Sequence, residues 1–419
     1  MPAAASGPAA AEAASTTHER PWLFSLLIAA DAAISLGLIN GGLSYLLRTQ
    51  GVDPGRSGSI IALLSLPHAI YFLWGPVTDF WLRRRTWLML AAVAAAVTLA
   101  IAFREPQLGS HRAIGLMFLG ACFGVMVPAA CGGMMGMLKS EVNRRRAGAA
   151  YQIGSLAIGA IAVFAIISLS AHLSIATLGL VMAAFIVLPS LAAFSAPAQP
   201  KAGGQTYQET LRHAGIEFKA TFLRWEAIPY ALLCTAPFCS GALIGLLPGL
   251  AVDYGVSGRQ VAWINGIGGA LLTAAGAYCA SLIPVRLRAS IAFPIAGLVN
   301  AAAAAVLAFG PQSPAVYFTG TVLFLFTIGA GYALFTGVIL EFMGGSGKSG
   351  SSRYSIMNGL GNVPVVYMSA LDGAAYAHWG PRGMPRVDAI LSAFGASLLL
   401  AHFVVSSRRQ AKSPPARKP

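Results

Sequence analysis

Two ionisable side chains interrupt long apolar runs of this chain: Asp31 within PWLFSLLIAADAAISLGLINGGLSYLL and His68 within IIALLSLPHAIYFLW. A carboxylate beside an imidazole, both partly desolvated, titrates near neutrality and can take up and release a proton. The alternative for the pair is a structural hydrogen bond, or Asp31 as a polar wall of a cavity. Amide groups at Asn40, Asn265, Asn358 and Asn362 and the carboxylate of Asp372 also lie in apolar stretches. They could hydrogen-bond a polar solute, Asp372 equally a gate; helix-to-helix hydrogen bonding is the alternative for Asn40 and Asn265. Asn358 and Asn362, four residues apart, share a helical face. In FLWGPVTDFWLRRRTWL, from Phe72 to Leu88, Asp79 closes one apolar run and Arg83, Arg84 and Arg85 precede the next. An anion so placed can sit on the positive N-terminus of a neighbouring helix.

The elements that carry these groups follow from composition. Of 419 residues, 56% are hydrophobic and 10% charged, and the mean hydropathy is +0.69. Soluble domains carry roughly 25% charged residues, so the chain is read as a membrane protein. Apolar stretches of about 20 residues, the length that crosses a bilayer core, occur at 22–47, 57–81, 87–103, 113–138, 148–170, 173–197, 227–252, 258–283, 290–309, 314–341, 354–377 and 385–406. Their unbroken character predicts helices rather than the short alternating strands of a barrel. Asp31 lies about 13 Å into the first span and His68 about 16 Å into the antiparallel second, at 1.5 Å per residue. Both are therefore near mid-membrane.

The net charge of +14 suggests nucleic acid in a soluble chain. Here it follows the loops instead. Arg48, Arg56, Arg104, Arg112, Arg259, Arg382 and Arg386 fall on one side, and the other 21 of the 28 Lys and Arg fall on the side holding both termini. The positive-inside rule then places both termini in the cytoplasm, and no nucleic acid is called for. The first apolar run is too long for a signal peptide. The five cysteines lie in the spans without metal-ligand company and read as small buried hydrophobes.

The longest polar interruption, 198–226, divides the spans six and six. It predicts a tail at 1–21, a half at 22–197, a central loop at 198–226, a second half at 227–406 and a basic tail at 407–419. Sliding the chain by 204 residues places Gly37 on Gly241, Gly41 on Gly245, Gly51 on Gly255 and Val52 on Val256. After one deletion, Arg56 meets Arg259, Arg83 meets Arg286 and Arg85 meets Arg288. Two parallel six-helix halves of an all-α membrane protein are the layout of the major facilitator superfamily, which this chain resembles. That resemblance implies alternating access around a site near mid-membrane.

The loop after the second span carries part of that superfamily's signature: Gly75, Asp79, Arg83 and Arg84 stand at its spacing, while Phe80 and Leu82 replace a basic residue and a glycine. By the resemblance, Asp79 latches a cytoplasmic gate against the eleventh span, whose start holds Ser351, Ser352 and Arg353. Plain positive-inside anchoring is the alternative for Arg84 and Arg85. Gly51-Val52, then Phe72-Leu73-Trp74-Gly75-Pro76 running to Asp79, resemble the AmpG-type branch of peptide, acetyl-CoA and drug transporters. The resemblance implies a monomeric, proton-coupled uptake system for a muropeptide-, siderophore- or acyl-CoA-like solute in a bacterial inner membrane. Efflux is the first alternative; an intramembrane acyltransferase centred on His68 and a non-transporting sensor are others. The stretch from Gly344 to Ser349 mimics a phosphate loop, but its first glycine would fall at Phe342 and no strand precedes it. No metal, nucleotide or other cofactor is expected.

Overall fold

The computed structural model describes residues 19–71, 76–79, 82–138, 141–196, 225–284, 286–343 and 356–412, with isolated positions between 208 and 219. Among them all regular structure is helical. Nine helices are long and apolar enough to span a bilayer. They are α1 (Pro21–Thr49), α3 (Arg84–Ala102), α4 (His111–Gly136), α5 (Val142–Leu169), α6 (Ile175–Ser195), α8 (Gly258–Ser281), α9 (Ala289–Phe309), α10 (Pro314–Phe342) and α12 (Gly383–Ser407).

The other three expected crossings are interrupted. Helix α2 (Pro54–Ala69) contains Pro67. Helix α7 is built from Ile228–Cys234 and Ala242–Tyr254, and α11 (Val363–Trp379) follows a single turn at 356–360. Proline accounts for much of this, since it removes an N–H and disfavours helical geometry in the residue before it. Between the two parts of α7, Pro237 is followed by Cys239 and Gly241 with φ of 53° and 82°. The left-handed region at two nearby positions cannot continue a right-handed helix. The unbroken span expected at 227–252 is corrected accordingly. The long α1 is continuous but wound as a π-helix over Ala32–Gly42, with non-helical angles at Asn40 (φ −94°, ψ 20°).

By contact the chain forms two compact units: Met1–Leu38 with Tyr71–Thr210, and Ile39–Ile70 with Leu211–Pro419. In the first unit α3 packs against α4 and α6. Small residues set the α1–α5 approach: a side chain on Gly154 would strike the Ser25 backbone, and one on Gly159 would strike Leu36. In the second unit α9 packs on α10 and α12, α8 on α10, and α2 along α11.

The internal repeat reappears as a backbone motif. Gly51 and Gly255 both adopt left-handed φ, 79° and 69°. In each case the next amide reaches back over the helix end, Val52 N–H to the Leu47 carbonyl at 2.9 Å and Val256 N–H to the Ala251 carbonyl at 3.1 Å. This is a glycine-based C-terminal cap. A fresh N-cap follows at once, Asp53 for α2 and Ser257 for α8. Sequence coincidence at offset 204 thus marks the same turn made twice.

Candidate functional site

Polar groups of the second unit gather at two levels. At the end bearing Gly51, Arg48 of α1 makes an ion pair with Asp253 of α7, Nη2 to Oδ1 at 2.8 Å. The Tyr376 hydroxyl of α11 donates to the other oxygen, Oδ2, at 3.0 Å, and the Arg48 guanidinium lies 6.0 Å from the Tyr376 ring centroid. One carboxylate thus ties three helices together. Beneath it, α2 and α11 touch backbone to backbone: a methyl group on Gly58 would strike the Ser369 carbonyl and Gly373, and one on Gly55 would strike Gly373 and Ala377. The Ser44 hydroxyl accepts from the Gly249 amide at 3.2 Å. This end of the unit is closed.

Nearer the middle of the crossings, several polar atoms are left over. Asn40 Oδ1 is buried without a hydrogen bond at the kink in α1, beside Gly245 of α7. Asp372 is 0% exposed, and neither carboxyl oxygen has a partner. Asp388 of α12 is 2% exposed with Oδ1 unpartnered, and it lies in Coulombic range of Asp372 and of Cys239 at the α7 break. Asp388 was not singled out from sequence. Its signal is an acid only three residues inside the last apolar run, where hydropathy places it at the membrane edge.

The remaining sequence candidates fall as follows. Asp31 is 8% exposed in the first unit, in Coulombic range of Cys131 on α4. His68 belongs to the second unit, where its backbone carbonyl accepts from Asn362 Nδ2 at 3.4 Å. Asn362 also donates to the Asn358 carbonyl at 3.4 Å, so the expected i, i+4 relation is present. Asn265 donates to Tyr317 Oη at 2.9 Å, and that hydroxyl donates to the Leu247 carbonyl at 3.0 Å. Asn265 therefore joins α8 to α10 and α7 through its amide nitrogen, while its Oδ1 is buried without a hydrogen bond. Arg84 donates to the Gly133 carbonyl at 2.8 Å, placing a cation on the last turn of α4, where the helix dipole favours it. Arg83 is exposed at the N-cap of α3. Asp79 ends a short 3-10 turn, Pro76–Asp79; its side chain, with Gly75, Arg353 and the phosphate-loop mimic at 344–349, lies outside the described residues.

Glu341 reads from sequence as an end-of-helix acid reaching for water. Instead it is held by four hydrogen bonds, from Tyr230 Oη at 2.9 Å, Arg288 Nε at 2.9 Å, and Ser290 through N at 3.0 Å and Oγ at 2.7 Å. That cluster ties α7, α9 and α10 together at the end opposite Gly51. Of the cysteines, Cys131, Cys234 and Cys239 are buried as expected, whereas Cys122 is half-buried and Cys279 is exposed on α8.

Helical crossings that break or change winding where polar atoms stand orphaned are a mark of membrane transport proteins, since irregular backbone survives in a bilayer only where protein or a cavity surrounds it. Comparison with known proteins fixes the class. The chain matches the Major Facilitator Superfamily over residues 25–363 and belongs to it. No curated protein matches the sequence. Among solved structures, it is similar to a D-xylose-proton symporter, at 13% identity and a TM-score of 0.68, covering 93% of this chain and 97% of that one. It is also similar to the nucleoside transporter NupG, at 14% identity and a TM-score of 0.66, covering 91% and 98%. A POT family transporter in complex with a thioalcohol-conjugated peptide follows at 11% identity and 0.65, covering 91% and 96%. At such identities the likeness shows the fold, two pseudo-symmetric sets of six helices. The protein is a multi-pass membrane transporter.

Proposed function

We propose that the protein is a proton-coupled secondary transporter that takes up a polar solute by alternating access. The observation that carries this reading is the closed Gly51 end of the second unit. There the Arg48–Asp253–Tyr376 group and the glycine contact of α2 with α11 form a seal on the Gly51 face of the orphaned polar atoms at Asn40 and Asp372. A seal of this kind has a function in a transporter if it opens. The charge bias of the loops supports placing that end outside and both termini in the cytoplasm of a bacterial inner membrane, and the proposed unit of transport is the monomer.

Asp31 and His68 are the proposed proton-exchanging groups, each within its own unit. Asn40, Asn358 and Asn362 are the proposed solute contacts, and Asp79, Arg83 and Arg353 the latch at the opposite face. The Gly51-Val52 and Phe72–Pro76 motifs support an AmpG-type solute, a muropeptide fragment, acetyl-CoA or a siderophore. Counterflow in proteoliposomes tests the reading. Preloading with one of these three should accelerate entry of the same radiolabelled compound. Exchange of none would refute the branch, and entry indifferent to preloading would refute carrier transport of the compound.

A further inference from the structure

A buried oxygen cluster lies between α11 and α12. Asp372 and Asp388 are within Coulombic range of each other and 0% and 2% exposed. Ser369 stands three residues before Asp372 and Ser392 four residues after Asp388, so each hydroxyl shares its carboxyl's helical face. Both hydroxyls, 0% and 1% exposed, lack partners, as do both oxygens of Asp372 and Oδ1 of Asp388. Five buried oxygen atoms of one cluster are thus unsatisfied. In native proteins such groups are nearly always paired with protein, water or an ion, and a bare buried carboxylate costs several kcal/mol.

Among the described residues no cation makes an ion pair with either carboxyl group. On α2 the titratable groups are Arg56 and His68, near its two ends; on α7 they are Tyr230, Cys234, Cys239, Asp253 and Tyr254; the apolar stretch of α9 has none. Of these, Cys239 is the group in range of the pair, and it is not cationic. On α11 and α12 themselves, Tyr367 donates to the Thr235 carbonyl and Tyr376 to Asp253. Arg382 and Arg386, each with a buried Nε that lacks a partner, lie in Coulombic range of Tyr254, and the Arg386 guanidinium sits over the Phe309 ring at 5.6 Å.

We infer that Asp372, Asp388, Ser369 and Ser392 form a binding site for a small monovalent cation, a proton or sodium. All-oxygen ligands suit a hard cation, and the dry setting disfavours magnesium, which keeps several waters, while calcium takes six to eight ligands. The complete burial of Asp372 also moves it from solute contact to ion site. The inference rests on the transport reading, because a cation released at one face and bound at the other is what couples solute movement to a gradient.

Thermal unfolding of the purified full-length protein tests it in two arms. One raises NaCl against choline chloride at fixed pH; the other varies pH in choline chloride. The wild-type midpoint should rise with sodium, or with falling pH, relative to Asp372→Asn/Asp388→Asn, which keeps the shape without the charge and should not share the response. A sodium response identifies sodium, and a pH response alone identifies the proton. In alkaline choline chloride the double variant should melt above wild type, having lost two buried charges that no cation then neutralises. Identical responses of the two proteins in both arms would overturn the site. So would a double variant unable to fold, since three of the four carboxyl oxygens have no hydrogen bond to lose. Absent transport with a retained cation response would refute the proposed function and leave this site standing.

Discussion

Asp253→Asn isolates the seal at the Gly51 end. The carboxylate accepts from Arg48 at 2.8 Å and from Tyr376 at 3.0 Å, with side chains 27% and 13% exposed for Arg48 and Asp253. Hydrogen bonds to a charged group contribute about 1.5–3 kcal/mol. Asparagine keeps one neutral acceptor, and partial exposure screens the charge, so the net loss is about 2 kcal/mol. At 1.36 kcal/mol per decade, the ratio of open to closed forms at this end should rise about 30-fold. Spin labels at exposed Thr49→Cys and Arg259→Cys, after replacement of Cys122 and Cys279, report the separation by pulsed dipolar spectroscopy. A longer-distance population should grow. Arg48→Gln should have a similar effect, and combining the two should add little, because both remove the same pair. An unchanged distance distribution, or fully additive effects, would refute the seal.

Gly58→Ala should open the same end by steric means, since its methyl meets the Ser369 carbonyl and Gly373; overpacking of about 1–3 kcal/mol should appear with the same labels. Asp31→Asn should abolish accumulation driven by a pH gradient while solute exchange continues; retained accumulation with normal proton stoichiometry would return Asp31 to a structural role. Glu341→Gln should lower thermal stability by about 2–3 kcal/mol, through loss of charge in a carboxylate with four donors, and leave counterflow affinity unchanged.

Hydropathy read the twelve crossings well because a bilayer imposes length and apolarity on any helix that spans it. It could not see that α7 breaks at Thr235–Gly241, since Pro237, Cys239 and Gly241 are themselves apolar or small; their backbone angles, not their hydropathy, stop the helix. The Arg48–Asp253 pair is separated by 205 positions, and nothing local announces it. The repeat came close, since it aligned Gly51 with Gly255 three and two residues beyond those partners. For Glu341 depth alone suggests solvation, whereas Tyr230, Arg288 and Ser290 come from α7 and the start of α9 to satisfy it. Asn40 and Asp372 were visible as polar interruptions. Asp388 was hidden by its place near a helix end.

Alternating access is tested most directly at Asn40, half-buried at the kink of α1. Asn40→Cys, in protein lacking the other accessible cysteines, would be exposed to a membrane-impermeant thiol reagent added to right-side-out or to inside-out vesicles. Modification should occur from both faces, with Asp253→Asn raising the rate from the Gly51 face. Modification from one face only, at every pH and solute concentration tried, would contradict alternating access.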